Sequence, residues 1–257
     1  MPKKSLGQHW LRDIPTLTKI TDVADLQPTD TVLEIGPGLG TLTSVLLRGA
    51  KEVVAVEFDE NLARKLPAQF PGKNLKVIRE DFLTFDLAQL PKNYKVVANV
   101  PYYITAKIVH KLLTAGNPPL VAVLLVQKEV AQRLVASPGD MSVVGLSAQI
   151  FAEVSLGDVV TRELFLPPPK VDSQVVVLCR RDEPLVSASE QEVFFRVAKA
   201  GFSEKRKKLR SSLAGGLNID KGEAEKLLRK AGISPDVRAE ELSIANWQEI
   251  SKIVNKL

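Results

Sequence analysis

Between residues 31 and 127, short β-branched runs alternate with helix-like stretches, and this alternation restricts the fold more than any other feature of the chain. Strands are predicted at residues 31–35, 52–57, 75–79, 94–98 and 120–127, with helices at 39–48, 60–69 and 104–114. Strand, helix, strand repeated at this spacing specifies a mostly parallel sheet covered on both faces. The runs Val53-Val54-Ala55-Val56 and Val121 to Val126 are continuously apolar, as strands buried on both sides must be. A helix at 128–135 follows, then the turn residues Ser137-Pro138-Gly139-Asp140. Two more strands, near 154–160 and 173–179, flank Pro167-Pro168-Pro169 and read as an antiparallel pair closing the sheet edge. Beyond Arg181 the pattern changes to three or four helices without strands. Ser189 with Glu192 gives one of them a capping-box signature. The reading is a doubly wound α/β domain at 1–182 followed by a small all-helical domain at 183–257.

At 257 residues the chain can bury about three quarters of its extended surface without staples. Its single cysteine, Cys179, reads as a buried thiol and fits a reducing cytoplasm. No apolar run approaches the ~20 residues of a membrane span. No h-region follows Lys3 and Lys4, so no secretory signal is expected. A soluble, cytoplasmic protein remains. With 35 Lys+Arg against 30 Asp+Glu the formal charge is +5. The segment from Lys199 to Arg210 alone carries six basic residues (Lys199, Lys205, Arg206, Lys207, Lys208, Arg210) against Glu204. On a helix, 205 to 208 point in four directions and leave only a narrow apolar stripe through Leu209 and Leu213. A solvated face is the plain reading of such a run; its single sign favours a polyanion-binding surface.

In a doubly wound sheet, ligands bind outside the carboxyl ends of the strands. The first such end carries Glu34-Ile35-Gly36-Pro37-Gly38-Leu39-Gly40, a tight turn that brings backbone close to a ligand. Its G-x-G-x-G spacing departs from the dinucleotide fingerprint, and Pro37 removes a donor that a pyrophosphate would use. The second end carries Glu57, placed to accept from two ribose hydroxyls. The third carries Asp81-Phe82, an acceptor for an adenine amino group beside an aromatic wall. Each acid alone is more often a helix cap. Together they describe a nucleoside pocket without a phosphate site, which favours S-adenosylmethionine over NAD. The fourth end, Asn99-Val100-Pro101-Tyr102-Tyr103, suits methylation of a planar exocyclic amine. The Asn99 oxygen and the Val100 carbonyl accept the two N–H bonds, and Tyr102 offers a face to an extruded base.

These motifs resemble those of the small-subunit ribosomal RNA adenine N6,N6-dimethyltransferases, the KsgA family, over essentially the full length. The matching stretches are Lys4 to Leu11, Glu34 to Gly38, Val56 to Asp59, Asn99 to Tyr102 and Leu125 to Val130. Phe165 to Ser173, Phe202 with Arg206 to Arg210, and Arg238-Ala239-Glu240 complete the series. The resemblance implies a Rossmann-like methyltransferase sheet and dimethylation of two adjacent adenosines in a hairpin loop near the 3′ end of that RNA. It implies cofactor contacts at His9, Leu11, Gly36, Glu57, Asp81 and Asn99. It makes Phe165 a second stacking face opposite Tyr102, and Lys205, Arg206, Lys207, Lys208 and Arg210 RNA contacts. The partner is ribosomal RNA within an immature small subunit, and a monomer is expected. No metal and no essential general base are expected. Two positions depart from the family pattern: Tyr103 replaces the usual Asn, and Met141-Ser142-Val143-Val144-Gly145 replaces a stretch containing an RNA-facing arginine. The competing readings are a large-subunit methyltransferase of the antibiotic-resistance type, an assembly factor whose methylation is secondary, and an NAD-dependent oxidoreductase.

Overall fold

A computed structural model describes residues 9–204 and 206–255. It divides into two compact units, the first comprising residues up to 132 and 152–180, the second 133–151 and 181 onward.

The first unit is built on a seven-stranded sheet. Its strands are β2 (Thr31–Ile35), β3 (Glu52–Glu57), β4 (Leu75–Arg79), β5 (Lys95–Asn99), β6 (Val121–Gln127), β7 (Ala152–Val160) and β9 (Ser173–Arg180). A separate two-stranded piece pairs β1 (Trp10–Leu11) with β8 (Phe165–Leu166). The large sheet runs β4-β3-β2-β5-β6-β9-β7. The five strands from β4 to β6 are parallel, and β9 and β7 are antiparallel. The antiparallel pair therefore closes the edge as the sequence indicates. Val32, Leu33, Val53, Val96 and Val97 at the sheet centre are fully buried. Around the sheet lie α1 (Ile14–Asp22), α2 (Thr41–Gly49), α3 (Glu60–Lys65), α4 (Thr105–Thr114) and the start of α5 (Lys128–Leu134). The predicted helix at 60–69 stops at Lys65 and gives way to a 3-10 turn at Pro67–Gln69, because a proline cannot continue the helical ladder. Helix α1 carries no signal in the reading above. Asp13 caps it by accepting from Thr16 N at 2.9 Å, with Pro15 in its first turn.

The second unit contains α6 (Val143–Phe151), α7 (Ala188–Gly201), α8 (Leu209–Leu217), α9 (Lys221–Lys230) and α10 (Ile244–Val254). Residues 133–151 group here and not with the sheet, for a backbone reason. Arg181 N and Leu185 N donate to Phe151 O and Ile150 O, and Gly139 N and Met141 N donate to Glu240 O. The capping box at Ser189 does not form: the helix starts two residues earlier, with Ser187 as its N-cap. Capping boxes do stand at Asp220 with Glu223 and at Ser243 with Asn246. Cys179 is exposed, not buried, because it follows the last inward-facing residue of β9.

The G-x-G-x-G turn is fixed by a close approach. Gly40 has φ +80°, and a Cβ there would lie 2.6 Å from Leu66 Cδ1 and 3.0 Å from the Phe70 ring. Left-handed strain and overpacking act together at this position. Gly40→Ala is expected to destabilise the protein by about 2–4 kcal/mol, read as a lowered urea midpoint with unchanged m-value.

Candidate active site

The switch in strand order between β2 and β5 places one cavity of about 300 Å³ over the carboxyl ends of β2, β3, β4 and β5. His9, Leu11, Gly36, Glu57, Asp81, Asn99 and Tyr102 all line it. Seven of the eight residues assigned to cofactor and base are thus brought together. Its lining contains four carboxyl groups (Glu34, Glu57, Glu80, Asp81) and, among the described residues, no Lys or Arg.

Glu57 organises the glycine turn. Its Oε2 accepts from Gly38 N at 3.0 Å and its Oε1 from Asp59 N at 2.8 Å. Each oxygen keeps a second lone pair for a ligand hydroxyl. Burial pushes the Glu57 carboxyl above its usual range, opposed by these backbone donors. Gly36, at φ +67°, has no neighbour within 4 Å of where a Cβ would stand, so its backbone is open to the cavity. Below it, Glu34 is 1% exposed and accepts from Thr43 Oγ1 at 2.6 Å. Burial pushes it up to about 8, opposed by the Thr43 hydroxyl and reinforced by the neighbouring Glu57. Asp81 accepts from Leu83 N through Oδ1 at 2.9 Å, which leaves Oδ2 for a ligand donor. Phe82, beside it, is buried in the same wall.

His9 and β1 form the opposite wall. Trp10 pairs with Leu166 and Leu11 with Phe165, and Thr41 Oγ1 donates to Leu11 O at 2.9 Å. Asn99 Nδ2 donates to His9 O at 3.2 Å. That bond fixes the amide orientation and leaves Asn99 Oδ1 as the free acceptor. His9 Nδ1 donates to Pro167 O at 2.7 Å; a carbonyl only accepts, so Nδ1 carries the hydrogen. The His9 ring lies 5.8 Å from that of Tyr102, with 19° between the planes. The Tyr102 hydroxyl is 2.6 Å from Oγ of the fully buried Ser173. Tyr103, the departure from the family pattern, is 63% exposed at the cavity rim.

Phe165 is not a second stacking face in this structure. It is 3% exposed and belongs to the core cluster with Leu11, Leu17, Val160 and Val175. Pairing of β8 with β1 turns it inward, and His9 is the ring beside Tyr102. Sequence reasoning missed this stack and the role of Ser173, since both partners come from distant segments. His9 and Ser173 both fall in motifs shared with the family, but only the fold brings each of them to Tyr102.

The basic segment also differs from its expected form. Lys205 lies outside the described residues. Residues 202–204 and 206–208 are not helical: α7 ends at Gly201, where an added Cβ would collide with the Trp247 indole, and Phe202 stacks on that indole. Leu209 N and Arg210 N then donate to Val237 O and Pro235 O, which brings Asp236 beside the cations. Lys208 Nζ lies 2.7 Å from Asp236, and Arg210 lies 3.1 Å from Asp236 and 3.2 Å from Glu225. Lys207 pairs with Glu204. Leu209 and Leu213 are fully buried, as the apolar stripe requires. Arg206 is exposed and has no ion pair among the described residues.

A strand-end cavity holding an Asn with its oxygen free, beside a Tyr ring and a set of acids, is the arrangement the adenine-methylating resemblance calls for. The family model for ribosomal RNA adenine dimethylases matches residues 2–256. The chain belongs to the ribosomal RNA adenine dimethylase family. It is therefore a methyltransferase that takes its methyl group from S-adenosylmethionine, and the cavity fits that cationic, phosphate-free donor. The chain is 43% identical over 250 residues to the ribosomal RNA small subunit methyltransferase A of Dehalococcoides mccartyi, covering 96% of this chain and 86% of that one. It is 40% identical to the protein of the same name from Geobacillus kaustophilus, covering 99% and 92%. Among solved structures it is similar to a dimethyladenosine transferase from Plasmodium falciparum, with TM-score 0.82, 27% identity, and coverage of 96% and 98%. It is also similar to the 23S rRNA methyltransferase ErmE, with TM-score 0.76, 30% identity, and coverage of 96% and 99%.

The Glu34 site has a consequence for stability. Between the ordinary carboxylate range and about 8, folded Glu34 holds a proton that the unfolded chain has released. Stability therefore falls as pH rises through that window. Glu34→Gln keeps an acceptor for Thr43 and removes the titration. Its loss of stability between pH 5 and 8 is expected to be shallower than that of the wild type by up to about 1.4 kcal/mol per pH unit, measured by urea unfolding at each pH.

Proposed function

We propose that this protein transfers methyl groups to the N6 atoms of two adjacent adenosines in a hairpin loop near the 3′ end of small-subunit ribosomal RNA. The observation that carries this reading is the free Asn99 Oδ1 beside Tyr102, at the mouth of a cavity lined by four carboxyl groups. Identity of 40–43% to relatives named for the small subunit, against 30% to the large-subunit enzyme of known structure, supports the choice of RNA. The substrate form is an immature small subunit in the cytoplasm, and the protein acts as a monomer. No helix among the described residues is long and apolar enough to cross a membrane.

S-adenosylmethionine supplies an electrophilic methyl group when bound. Glu57 holds the ribose hydroxyls, Asp81 the adenine amino group, and Leu11, Gly36 and the His9 segment enclose the remainder. The target adenine stacks on Tyr102, whose ring is held by Ser173 and flanked by His9. An exocyclic adenine nitrogen is a poor nucleophile because its lone pair is delocalised into the ring. Asn99 Oδ1 and the Val100 carbonyl accept its two N–H bonds, which favours tetrahedral nitrogen and localises the lone pair. The bonds strengthen as positive charge develops on N6, so they count most in the transition state. The proton then leaves to water. For the first methylation both N–H bonds are used; for the second, one remains and the new methyl occupies the other direction.

The sheet unit, up to residue 132 and 152–180, is assigned the chemistry, and the unit of 133–151 and 181 onward the RNA binding, through the segment that includes Lys205, Arg206, Lys207, Lys208 and Arg210. Transfer of labelled methyl to small subunits from a strain lacking the enzyme tests the function. Incorporation into two adjacent adenosines of small-subunit RNA is expected. Labelling of large-subunit RNA alone would overturn the reading in favour of the antibiotic-resistance type. Complementation of that strain by Glu57→Ala would show that assembly, not methylation, is the main role.

Asn99→Ala is expected to lower kcat by on the order of a hundredfold or more, with cofactor affinity changed only a few-fold. Equal losses in both would make Asn99 structural. In the helical unit, Arg206→Ala is expected to flatten the slope of log RNA affinity against log salt by about 0.7 to 0.9. Arg210→Ala should instead lower the melting temperature, since its guanidinium ties Glu225 to Asp236. RNA titrations at several salt concentrations and thermal melts separate the two.

A further inference from the structure

Helix α4 carries a lysine that the reaction as described does not use. Lys111 stands in its last turn and is absent from the cavity lining. Its Nζ donates to Leu83 O at 2.9 Å and lies 5.3 Å from the centroid of the Phe82 ring. It thus touches both residues that follow Asp81. The turn they form is tightly bonded. Asp81 Oδ1 accepts from Leu83 N at 2.9 Å, and Asp81 O accepts from Thr84 Oγ1 at 2.9 Å. Thr84 N and Phe85 N converge on the same carbonyl. Glu80 N donates to Glu57 O and ties the start of the turn to β3, and Lys111 ties its far end to α4.

We propose that Lys111 is a positioning residue for recognition of the donor's adenine, holding the Asp81–Phe82–Leu83 turn so that Asp81 meets the 6-amino group. The inference rests on the reading of Asp81 and Phe82 as the adenine subsite. Three kinds of contact carry it. The charge-assisted bond satisfies the Leu83 carbonyl at the far end of the turn. The ammonium packs on the ring that walls the subsite. The charge also offsets Glu80, Asp81 and Asp86, which all face Lys111 from the turn; Lys107 lies one helical turn earlier on α4. Burial lowers the Lys111 proton affinity and the three acids raise it, with burial the larger effect. Loss of that proton removes the cation–ring contact and leaves the acids uncompensated, so the positioning weakens at a pH below the ordinary lysine value.

The test uses S-adenosylhomocysteine and S-inosylhomocysteine, whose purine carries a carbonyl in place of the 6-amino group. Isothermal titration gives the ratio of their affinities. The wild type is expected to prefer the adenine compound by about tenfold or more. Asp81→Asn should bring the ratio close to one. Lys111→Met should lower it several-fold, Lys111→Arg should retain most of it, and the wild-type ratio should fall at alkaline pH while that of Lys111→Arg persists. An unchanged ratio in Asp81→Asn would overturn the adenine-subsite reading itself. A reduced ratio there, with an unchanged ratio in Lys111→Met, would overturn the role of Lys111 alone. Equal weakening of both ligands by Lys111→Met would do the same, since a merely structural loss does not discriminate between purines. If Lys111→Met fails to fold, the wild-type and Lys111→Arg pH profiles decide, and identical profiles overturn the proposal.

Discussion

The active site depends on one peptide carbonyl. His9 O accepts the Asn99 amide N–H, and that bond chooses between the two orientations of the Asn99 side chain. The reaction needs the oxygen, not the nitrogen, turned toward the adenine. A residue 90 positions away therefore decides the chemistry at the end of β5. The same residue's ring is pinned to Pro167 O and lies beside Tyr102, so the acceptor and the base platform share one support. That support is held by the β1–β8 pairing and by Thr41 Oγ1 on Leu11 O. The short strand β1 contributes little to the core by its length, and its importance is positional.

The second constraint is the sign of the charge in the cavity. Glu34 and Glu57, buried in a lining that holds no Lys or Arg among the described residues, are costly to keep ionised. The protein resolves this unequally. Glu34 lies deepest and is pushed up to about 8, so it stays protonated across much of the physiological range. Glu57 is also raised, but two backbone donors restrain the shift and keep it a competent acceptor for hydroxyls. A cationic ligand eases the same repulsion that an anionic one would aggravate. The absence of a phosphate site in the glycine turn and the surplus of acids around it are two expressions of one preference.

Much of this was legible in the sequence, for identifiable reasons. The parallel strands announce themselves because burial on both faces demands unbroken runs such as Val53 to Val56. The strand-end acids could be placed because the fold fixes where ligands bind. The local sequence does not contain what long-range pairing decides. Phe165 reads as a presented aromatic next to rigid prolines, yet pairing of β8 with β1 buries it against Leu17 and Val160. The basic segment reads as helix by composition, yet α7 ends at Gly201, packed against Trp247, and Phe202 stacks on the same indole. The segment 133–151 follows the sheet in sequence but bonds to Arg181, Leu185 and Glu240. In each case a partner more than about 30 residues away overrides the local preference.

The ion pairs around Asp236 change how the positive segment must be understood. Counted along the chain, six basic residues face one acid; in space, Asp236 and Glu225 join Glu204 as partners. The pairs at Lys207 and Lys208 are more than half exposed at the lysine, and such pairs are worth little, about 0–1 kcal/mol each. A phosphate can displace those acids at small cost. Arg210 is different: its side chain is only 25% exposed and bridges two carboxylates, so withdrawing it would cost Glu225 its cation and leave Asp236 to the exposed Lys208. The segment therefore separates into a fixed cation that shapes the turn and exposed cations that can exchange partners. That division lets the segment keep its turn in the absence of RNA while leaving Arg206 and the two lysines available to a polyanion.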